Sequence, residues 1–283
     1  MKTVLKGVRK TVTVSPDEPT VLIGERINPT GRKRLAAELV AGKVEIVKAE
    51  ALDQIAAGAD VIDVNVGAAG VDQVAVLPRA VEMVQEVVDV PISIDTPDPA
   101  ALAAALKVYQ GKPLVNSVNG EEKSLSRVLP LVAEHGAAVI GLCMDDDGIS
   151  SDPHRRLEVA CKIVERAEAL GIPREDVLID CLALTVGADS KAALVTLETI
   201  RLVRTELGVN MTLGASNVSF GLPERDVVNG VFLALAIQLG MNCPIVNAAK
   251  VRPIILATDL LLGRDEYAMR YIKAYKKRKR NTL

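Results

Sequence analysis

The chain has 283 residues, of which 49% are hydrophobic and 25% charged, and its net charge is −2. A charge so near zero argues against an extended nucleic-acid-binding surface. Aromatic residues at 2%, with no Trp, cannot build platforms on which bases stack. We therefore expect a soluble single domain whose core is made of aliphatic side chains.

The N-terminal and cysteine patterns favour a cytoplasmic protein. The first residues lack the long apolar core of a signal peptide, and no apolar run is long and uncharged enough to span a membrane. The four cysteines are widely spaced and include no CxxC pair, so neither disulfides nor a thiolate metal site is expected.

Eight short β-branched runs follow one another along the chain, and each is nearly continuous in apolar residues, as strands buried on both faces are. They cover residues 21–28, 61–67, 91–96, 113–120, 138–144, 177–184, 211–219 and 243–249. Stretches with helical periodicity lie between them. Four of these end in Gly, the usual left-handed stop after a helix: 44–58, 124–136, 155–171 and 191–208.

Eight alternating β and α units predict an α/β fold of the (β/α)8 type, a TIM barrel. An open doubly wound sheet is the alternative, but the first strand lacks the GxGxxG that such a sheet favours. The predicted division is an N-terminal extension (1–20) with a hairpin beneath the barrel, the barrel itself (21–262), and a C-terminal helix with a basic tail (263–283). The run KKRKR at 276–280 is interpreted as a solvated helix end.

Polar residues end seven of the eight runs, where the active site of such a barrel lies. They are Glu25, Asn28, Asp63, Asn65, Asp95, Asn116, Asn119, Asp180, Ser216, Asn217 and Asn247. Neither histidine ends a strand, so no metal site and no Ser–His pair are expected. A single Asn or Asp at a strand end is as often a turn or cap residue as a site residue. So many of them at the C-terminal end of one barrel, however, need hydrogen-bonding partners. A flat, nitrogen-rich heterocycle such as a pterin offers N–H groups to Asp and acceptors to Asn.

Several of these strand ends carry motifs of a known family. GERINPTG (24–31), DVNVG (63–67), SIDTP (93–97), VNSVNGE (115–121), LIDCLAL (178–184) and GASNVSFGLPER (214–225) occur in order. The chain resembles the pterin-binding methyltransferases, most closely the methyltetrahydrofolate:corrinoid/iron–sulfur-protein methyltransferases and the tetrahydrofolate methyltransferases of corrinoid-dependent demethylation systems. The resemblance implies a homodimeric TIM barrel that moves a methyl group between N5 of (methyl)tetrahydrofolate and the cobalt of cobalamin, a corrinoid carried by a partner protein.

The resemblance also implies a role for each matching residue. Asp95, Asn116 and Asp180 would hold the pyrimidine edge of the pterin. Asn217 would hydrogen-bond N5. Because an amide cannot supply a proton itself, we expect the proton to come from water or from a network that includes Asp95. The other implied contacts are Asp63 and Asn65 at the pocket floor, Ser216, Met144 and Arg225 near the ring and the seventh loop, and Glu25 and Asn28 at the first strand end. At Phe220 the chain differs from the family, in which a polar residue often follows SNVS. This difference affects which contacts the resemblance implies for the folate tail.

Two other functions stay open. A dihydropteroate synthase needs a grip for diphosphate, and the second loop DVNVGAAGVDQ lacks its hydroxyl–arginine set, although Lys250 and Arg252 follow the eighth strand. A non-catalytic folate-binding protein would not need Asn217. We expect no corrinoid-binding module in the chain, because DPHRRL at 152–157 differs from the D-x-H-x-x-G motif at Leu157 and predicts a helix start.

Overall fold

The computed structural model describes residues 1–281, and its centre is a closed barrel of eight parallel strands. The predicted (β/α)8 fold is therefore confirmed. A hairpin of β1 (Thr3–Lys6) and β2 (Thr11–Val14) precedes the barrel. The barrel strands are β3 (Ile23–Ile27), β4 (Val61–Asn65), β5 (Ile92–Asp95), β6 (Leu114–Asn119), β7 (Ala138–Leu142), β8 (Val177–Asp180), β9 (Met211–Gly214) and β10 (Cys243–Val246), with β10 paired to β3.

The helices surround the barrel in chain order. They are α1 (Lys33–Val40), α2 (Ile46–Ala57), α3 (Gln73–Gln85), α4 (Pro99–Val108), α5 (Glu122–His135), α6 (Pro153–Ala169), α7 (Ala192–Glu206), α8 (Arg225–Leu239), α9 (Ala248–Leu261) and α10 (Met269–Asn281). Local chemistry sets their ends. The carboxylate of Asp98 accepts from the Ala100 N–H at 2.9 Å and caps α4, and Gly58 ends α2 with φ of 99°.

The helix start predicted at residues 152–157 is confirmed. α6 begins at Pro153, and the Asp152 carboxylate accepts from the backbone N–H of His154 at 2.9 Å. His154 is exposed there. The stretch that partly matches a corrinoid-ligand motif is therefore an ordinary capped helix N-terminus.

The strand register brings polar residues from neighbouring strands to the same level. Asn65 on β4 pairs with Asp95 on β5, and Asp95 pairs with Asn116 on β6. Leu142 on β7 pairs in the same way with Asp180 on β8. Because all eight strands are parallel, these residues meet at one rim, the C-terminal mouth of the barrel.

The hairpin lies against the other end of the barrel. Leu5 and Val14 are fully buried in a cluster with residues from the first halves of several strands, among them Ile23 and Leu114. The amide of Asn210, which comes directly before β9, donates to Thr3 Oγ1 at 2.8 Å and to the carbonyl of Val14 at 3.0 Å. The N-terminal end of the barrel is thereby sealed by apolar packing and by hydrogen bonds.

The C-terminal part of the chain forms α10, which packs against α9. Residues 282 and 283 of the predicted basic tail lie outside the described residues. Within residues 1–281, no helix has the length and apolar character needed to cross a membrane.

The closing role of the hairpin leads to a stability prediction. Leu5→Ala removes a fully buried side chain from the barrel end and should lower the free energy of unfolding by about 2–4 kcal/mol in urea denaturation. Lys6→Ala, at the exposed next position of the same strand, is the matched control and should change it by less than about 0.5 kcal/mol. Equal effects of the two substitutions would contradict the assignment.

Candidate functional site in the barrel mouth

Side chains of β4, β5 and β6 form one hydrogen-bonded network in the mouth. The Asn65 amide donates to Asp95 Oδ2 at 2.8 Å, and the Asn116 amide donates to Asp63 Oδ1 at 3.1 Å. The Ser93 hydroxyl donates to the same Asp63 oxygen at 2.6 Å. The sequence predicted that Asp63, Asn65, Asp95 and Asn116 come together, and the structure confirms this proximity.

The two carboxyl groups of this network have raised pKa values. Burial, followed by the negative charge of Asp95, raises the pKa of Asp63 well above its usual value. Burial also raises the pKa of Asp95. Both carboxyl groups therefore keep a proton to a higher pH than isolated carboxyl groups do, as adjacent buried carboxyl groups do in general.

Asp180, at the end of β8, is the third buried carboxyl group. Its side chain accepts from the backbone N–H of Leu182 at 2.7 Å and is also hydrogen-bonded by the backbone of Gly214. Leu182 adopts a positive φ of 59°, which turns its N–H back towards the carboxylate. Burial nevertheless raises the pKa of Asp180 to about 6. The group is thus poised to change charge near neutral pH.

A cavity of about 400 Å3 opens beside this network, large enough for a bicyclic ring. Its lining comes from the ends of β5, β6 and β7 and the segments that follow them. The polar lining residues are Asp95, Thr96, Asn116, Ser117, Asn119, Glu121, Lys123, Ser124 and Arg127. Acceptors and donors therefore converge on one space.

A second group of residues lies across the mouth, at the ends of β3 and β9. The Ser216 hydroxyl donates to Glu25 Oε2 at 3.3 Å, and Arg225 donates to the Ser216 carbonyl at 2.7 Å. The same guanidinium lies 5.7 Å from the centre of the Phe220 ring, a cation–π contact. Burial raises the pKa of Glu25. These contacts fix the loop in which Asn217 stands.

Asn217 differs from the other amides of the mouth. It lies in a short 3-10 helix, Ala215–Ser219, directly after β9, and its side chain is exposed. Within the described part of the chain, its amide makes no hydrogen bond to protein. The donor and acceptor of this side chain are therefore available to a ligand.

Two predicted site residues have local roles in the structure. Asn28 Oδ1 accepts from the backbone N–H of Thr30 at 2.9 Å, as in an Asx turn after β3. Met144 accepts through its carbonyl from the N–H of Gly120 at 2.8 Å and so ties together the loops after β6 and β7. Direct contact of either residue with a ligand stays a prediction.

Arg156 is a residue of the site region that the sequence interpretation missed. It is 1% exposed, and its guanidinium donates to the carbonyls of Cys181, Leu182 and Ser150 at 2.7–2.8 Å. It therefore braces the loop that follows Asp180. The available signal was its spacing from Val159 and Ala160, which places an arginine on the buried face of α6.

A sequence-family comparison agrees with this geometry. The family described as pterin binding enzyme matches residues 24–247, which contain all the barrel strands except Ile23, the first residue of β3. The chain belongs to the pterin-binding enzyme family. A methylcorrinoid:tetrahydrofolate methyltransferase of Eubacterium limosum is 30% identical over 92% of this chain and 97% of that protein.

The chain is also similar in sequence to part of a longer protein, and in fold to a solved structure. A methionine synthase of Mycobacterium leprae is 34% identical over 84% of this chain, and the chain spans 21% of that protein. The structure of Yersinia pestis DHPS with a pterine–sulfa conjugate superposes with a TM-score of 0.72 at 17% identity, covering 93% of this chain and all of that one. At this identity the similarity shows the fold alone.

The raised pKa of Asp180 predicts a pH-dependent stability. The folded protein keeps the proton of Asp180 to a higher pH than the unfolded chain does. The stability that this protonation contributes is fully present below the usual pKa of 3.8 and is lost as the pH rises through about 6. Because an asparagine does not ionise, Asp180→Asn should raise the free energy of unfolding at pH 8 by up to about 3 kcal/mol, with little effect at pH 4.

Urea denaturation at the two pH values measures this difference. Asp147→Asn, which changes an aspartate whose side chain is 89% exposed, is the control and should leave stability unchanged at both. A wild-type protein and an Asp180→Asn variant of equal stability at pH 8 would show that burial does not cost this carboxylate anything.

Proposed function

We propose that the protein is a methyltransferase that moves a methyl group between N5 of tetrahydrofolate and the cobalt of a corrinoid carried by a partner protein. The relative from Eubacterium limosum, similar along nearly its whole length, has the name of such an enzyme. The observation that carries the proposal is the Asn217 amide, which is exposed at the mouth and makes no hydrogen bond to protein within residues 1–281.

The order of the strands suggests how a pterin lies in the mouth. Asp95, Asn116 and Asp180 offer two carboxyl groups and an amide, which suit the amino group, ring N–H and carbonyl of the pyrimidine edge. β5 and β6, which carry two of these residues, stand opposite β9 and β10 in the closed barrel. The far edge of the ring, with N5, would then lie near the end of β9, where Asn217 is.

The chemistry of the reaction explains why an amide belongs at N5. The bond between N5 and its methyl group is hard to break, because the nitrogen leaves as an unstable anion. A hydrogen bond that strengthens as this charge develops lowers the barrier, whereas one that is equally strong in the ground state does not. Asn217 can supply such a hydrogen bond through its amide.

An amide cannot supply the proton that N5 finally needs, so a second group must do so. Burial raises the pKa of both Asp63 and Asp95, and the negative charge of Asp95 raises that of Asp63 further, so this pair keeps a proton to a higher pH than isolated carboxyl groups do. Asp95 also lines the cavity in the mouth. We assign to this pair the role of proton reservoir, connected to N5 through water.

The corrinoid acts in this scheme as the second substrate, and its cobalt accepts or donates the methyl group. The one stretch that partly matches a corrinoid-ligand motif is the capped start of α6. We propose that the corrinoid is carried by a separate protein that docks over the mouth, and the name of the Eubacterium limosum relative supports a corrinoid as the second reactant. That the enzyme is a homodimer and cytoplasmic stays a prediction.

The rival activity of a dihydropteroate synthase has less support in the site. It requires cations that can take a diphosphate near the last strand. Lys250 is paired with Asp226 at 2.6 Å, and Arg252 is 3.4 Å from Asp60. Both candidate cations therefore have carboxylate partners already.

The role of Asn217 leads to a kinetic prediction. Asn217→Ala should slow methylation of free Co(I) cobalamin by methyltetrahydrofolate about 100-fold, because it removes a contact that strengthens in the transition state. Its affinity for the folate should fall less than about tenfold. Stopped-flow absorbance gives the rate, and equilibrium titration gives the affinity.

Gln238→Ala, which removes an exposed amide from α8, serves as the control and should match the wild type in both measurements. A rate and an affinity that fall by the same factor would limit Asn217 to ground-state binding. Folate binding without methylation of cobalt by the wild type would instead favour the non-catalytic or the synthase alternative.

A further inference from the structure

A second cavity lies outside the mouth, on the flank of the barrel. It has a volume of about 520 Å3 and is bounded by α2, α9 and α10. Five cationic residues line it, Arg252, Arg270, Lys273, Lys277 and Arg278. Arg252 is paired with Asp60 and Arg270 with Asp259, whereas Lys273 and Lys277 have no carboxylate partner among the described residues. Alanines, Pro253 and Leu256 complete the lining. Such a cavity suits a flexible chain that carries several negative charges.

A row of smaller cavities connects this basic cavity with the mouth. The first, of about 180 Å3, is lined by Glu25, Ser216 and Asn247 among others. The second, of about 200 Å3, shares Arg26 and Asn247 with the first. It shares Ala57 and Ala249 with the basic cavity. A surface track therefore leads from the ends of β3, β9 and β10 to α10.

The track begins on the side of the mouth where a bound folate would project its tail. With the pyrimidine edge of the pterin at β5 and β6, the tail on C6, the neighbour of N5, points towards β9 and β10. Asn229, 7% exposed and lining the first cavity, has a side-chain oxygen without a hydrogen-bond partner. A buried amide of this kind favours a ligand that contains amide groups.

The acidic residues along the track are largely neutralised. Glu50 is paired with Arg32, and Asp226 with Lys250 at 2.6 Å. Burial raises the pKa of Glu25, which favours its neutral form. Asp53 is the remaining negative charge that a tail would pass. The track thus ends at the unpaired cations Lys273 and Lys277 of α10.

We propose that the basic cavity binds the carboxylates of the oligo-γ-glutamate chain of a folate whose pterin lies in the mouth. This inference rests on the proposed function, since it requires a folate as substrate. A γ-linked chain has amide groups for the first part of the track and one α-carboxylate per residue for the basic cavity. The C-terminal helix α10 thereby becomes part of the substrate site.

The test compares affinities for tetrahydropteroyl monoglutamate and triglutamate. Wild type should bind the triglutamate about tenfold more tightly, because two further carboxylates reach the cations, and high salt should reduce this advantage. The double variant Lys273→Glu/Lys277→Glu should abolish the advantage and leave the affinity for the monoglutamate unchanged. Both lysines are exposed on α10, so the substitutions leave the barrel core intact.

Lys276→Glu/Lys279→Glu is the matched control, with the same change of charge on the same helix at positions that do not line the cavity. It should keep the triglutamate advantage. Equal affinity of wild type for the two folates, or an equal loss in both double variants, would overturn the inference. If wild type does not bind the monoglutamate at all, the proposed function itself fails.

Discussion

The burial of carboxyl groups in the mouth of a closed barrel is the constraint on which this structure depends. Asp63 and Asp180 are 3% and 6% exposed, and Asp95 lies beside them. Taking ionised carboxylates out of water is unfavourable unless hydrogen bonds or protons compensate. The protein uses both means: amides and backbone N–H groups point at these oxygens, and burial raises the pKa of all three groups. A ligand with several N–H donors completes the compensation.

The opposite end of the barrel supplies the stability that the mouth lacks. The hairpin buries Leu5, Val12 and Val14 against the starts of the strands. The Asn210–Asn242 pair, joined at 2.7 Å, ties the hairpin to β9 and β10 without leaving a charge buried. The buried polar groups available to a ligand thus lie at one end of the barrel, and the other end is closed by apolar packing. The packed end stabilises the barrel and offsets the cost of burying carboxyl groups in the mouth.

Much of this arrangement can be predicted from the sequence. Eight buried parallel strands leave continuous apolar runs, and the residue that ends each run falls at the mouth, so the barrel and the network of Asp63, Asn65, Asp95 and Asn116 follow from spacing. Contacts between distant segments cannot be predicted in this way. Arg156 lies on a helix and serves a loop after another strand, and the flank cavity exists only because α10 folds back beside α2 and α9. The Asx turn at Asn28 shows that a strand-end amide can also serve its own backbone.

In the proposed reaction, one methyl group passes between N5 of a folate and cobalt at this mouth. 13C NMR can follow this transfer with tetrahydrofolate labelled in its N5-methyl group, mixed with reduced cobalamin and catalytic amounts of the wild-type protein. We expect the methyl resonance to move from the nitrogen-bound to the cobalt-bound position at a rate proportional to protein concentration. A label that stays on N5, while titration shows the folate bound, would contradict it.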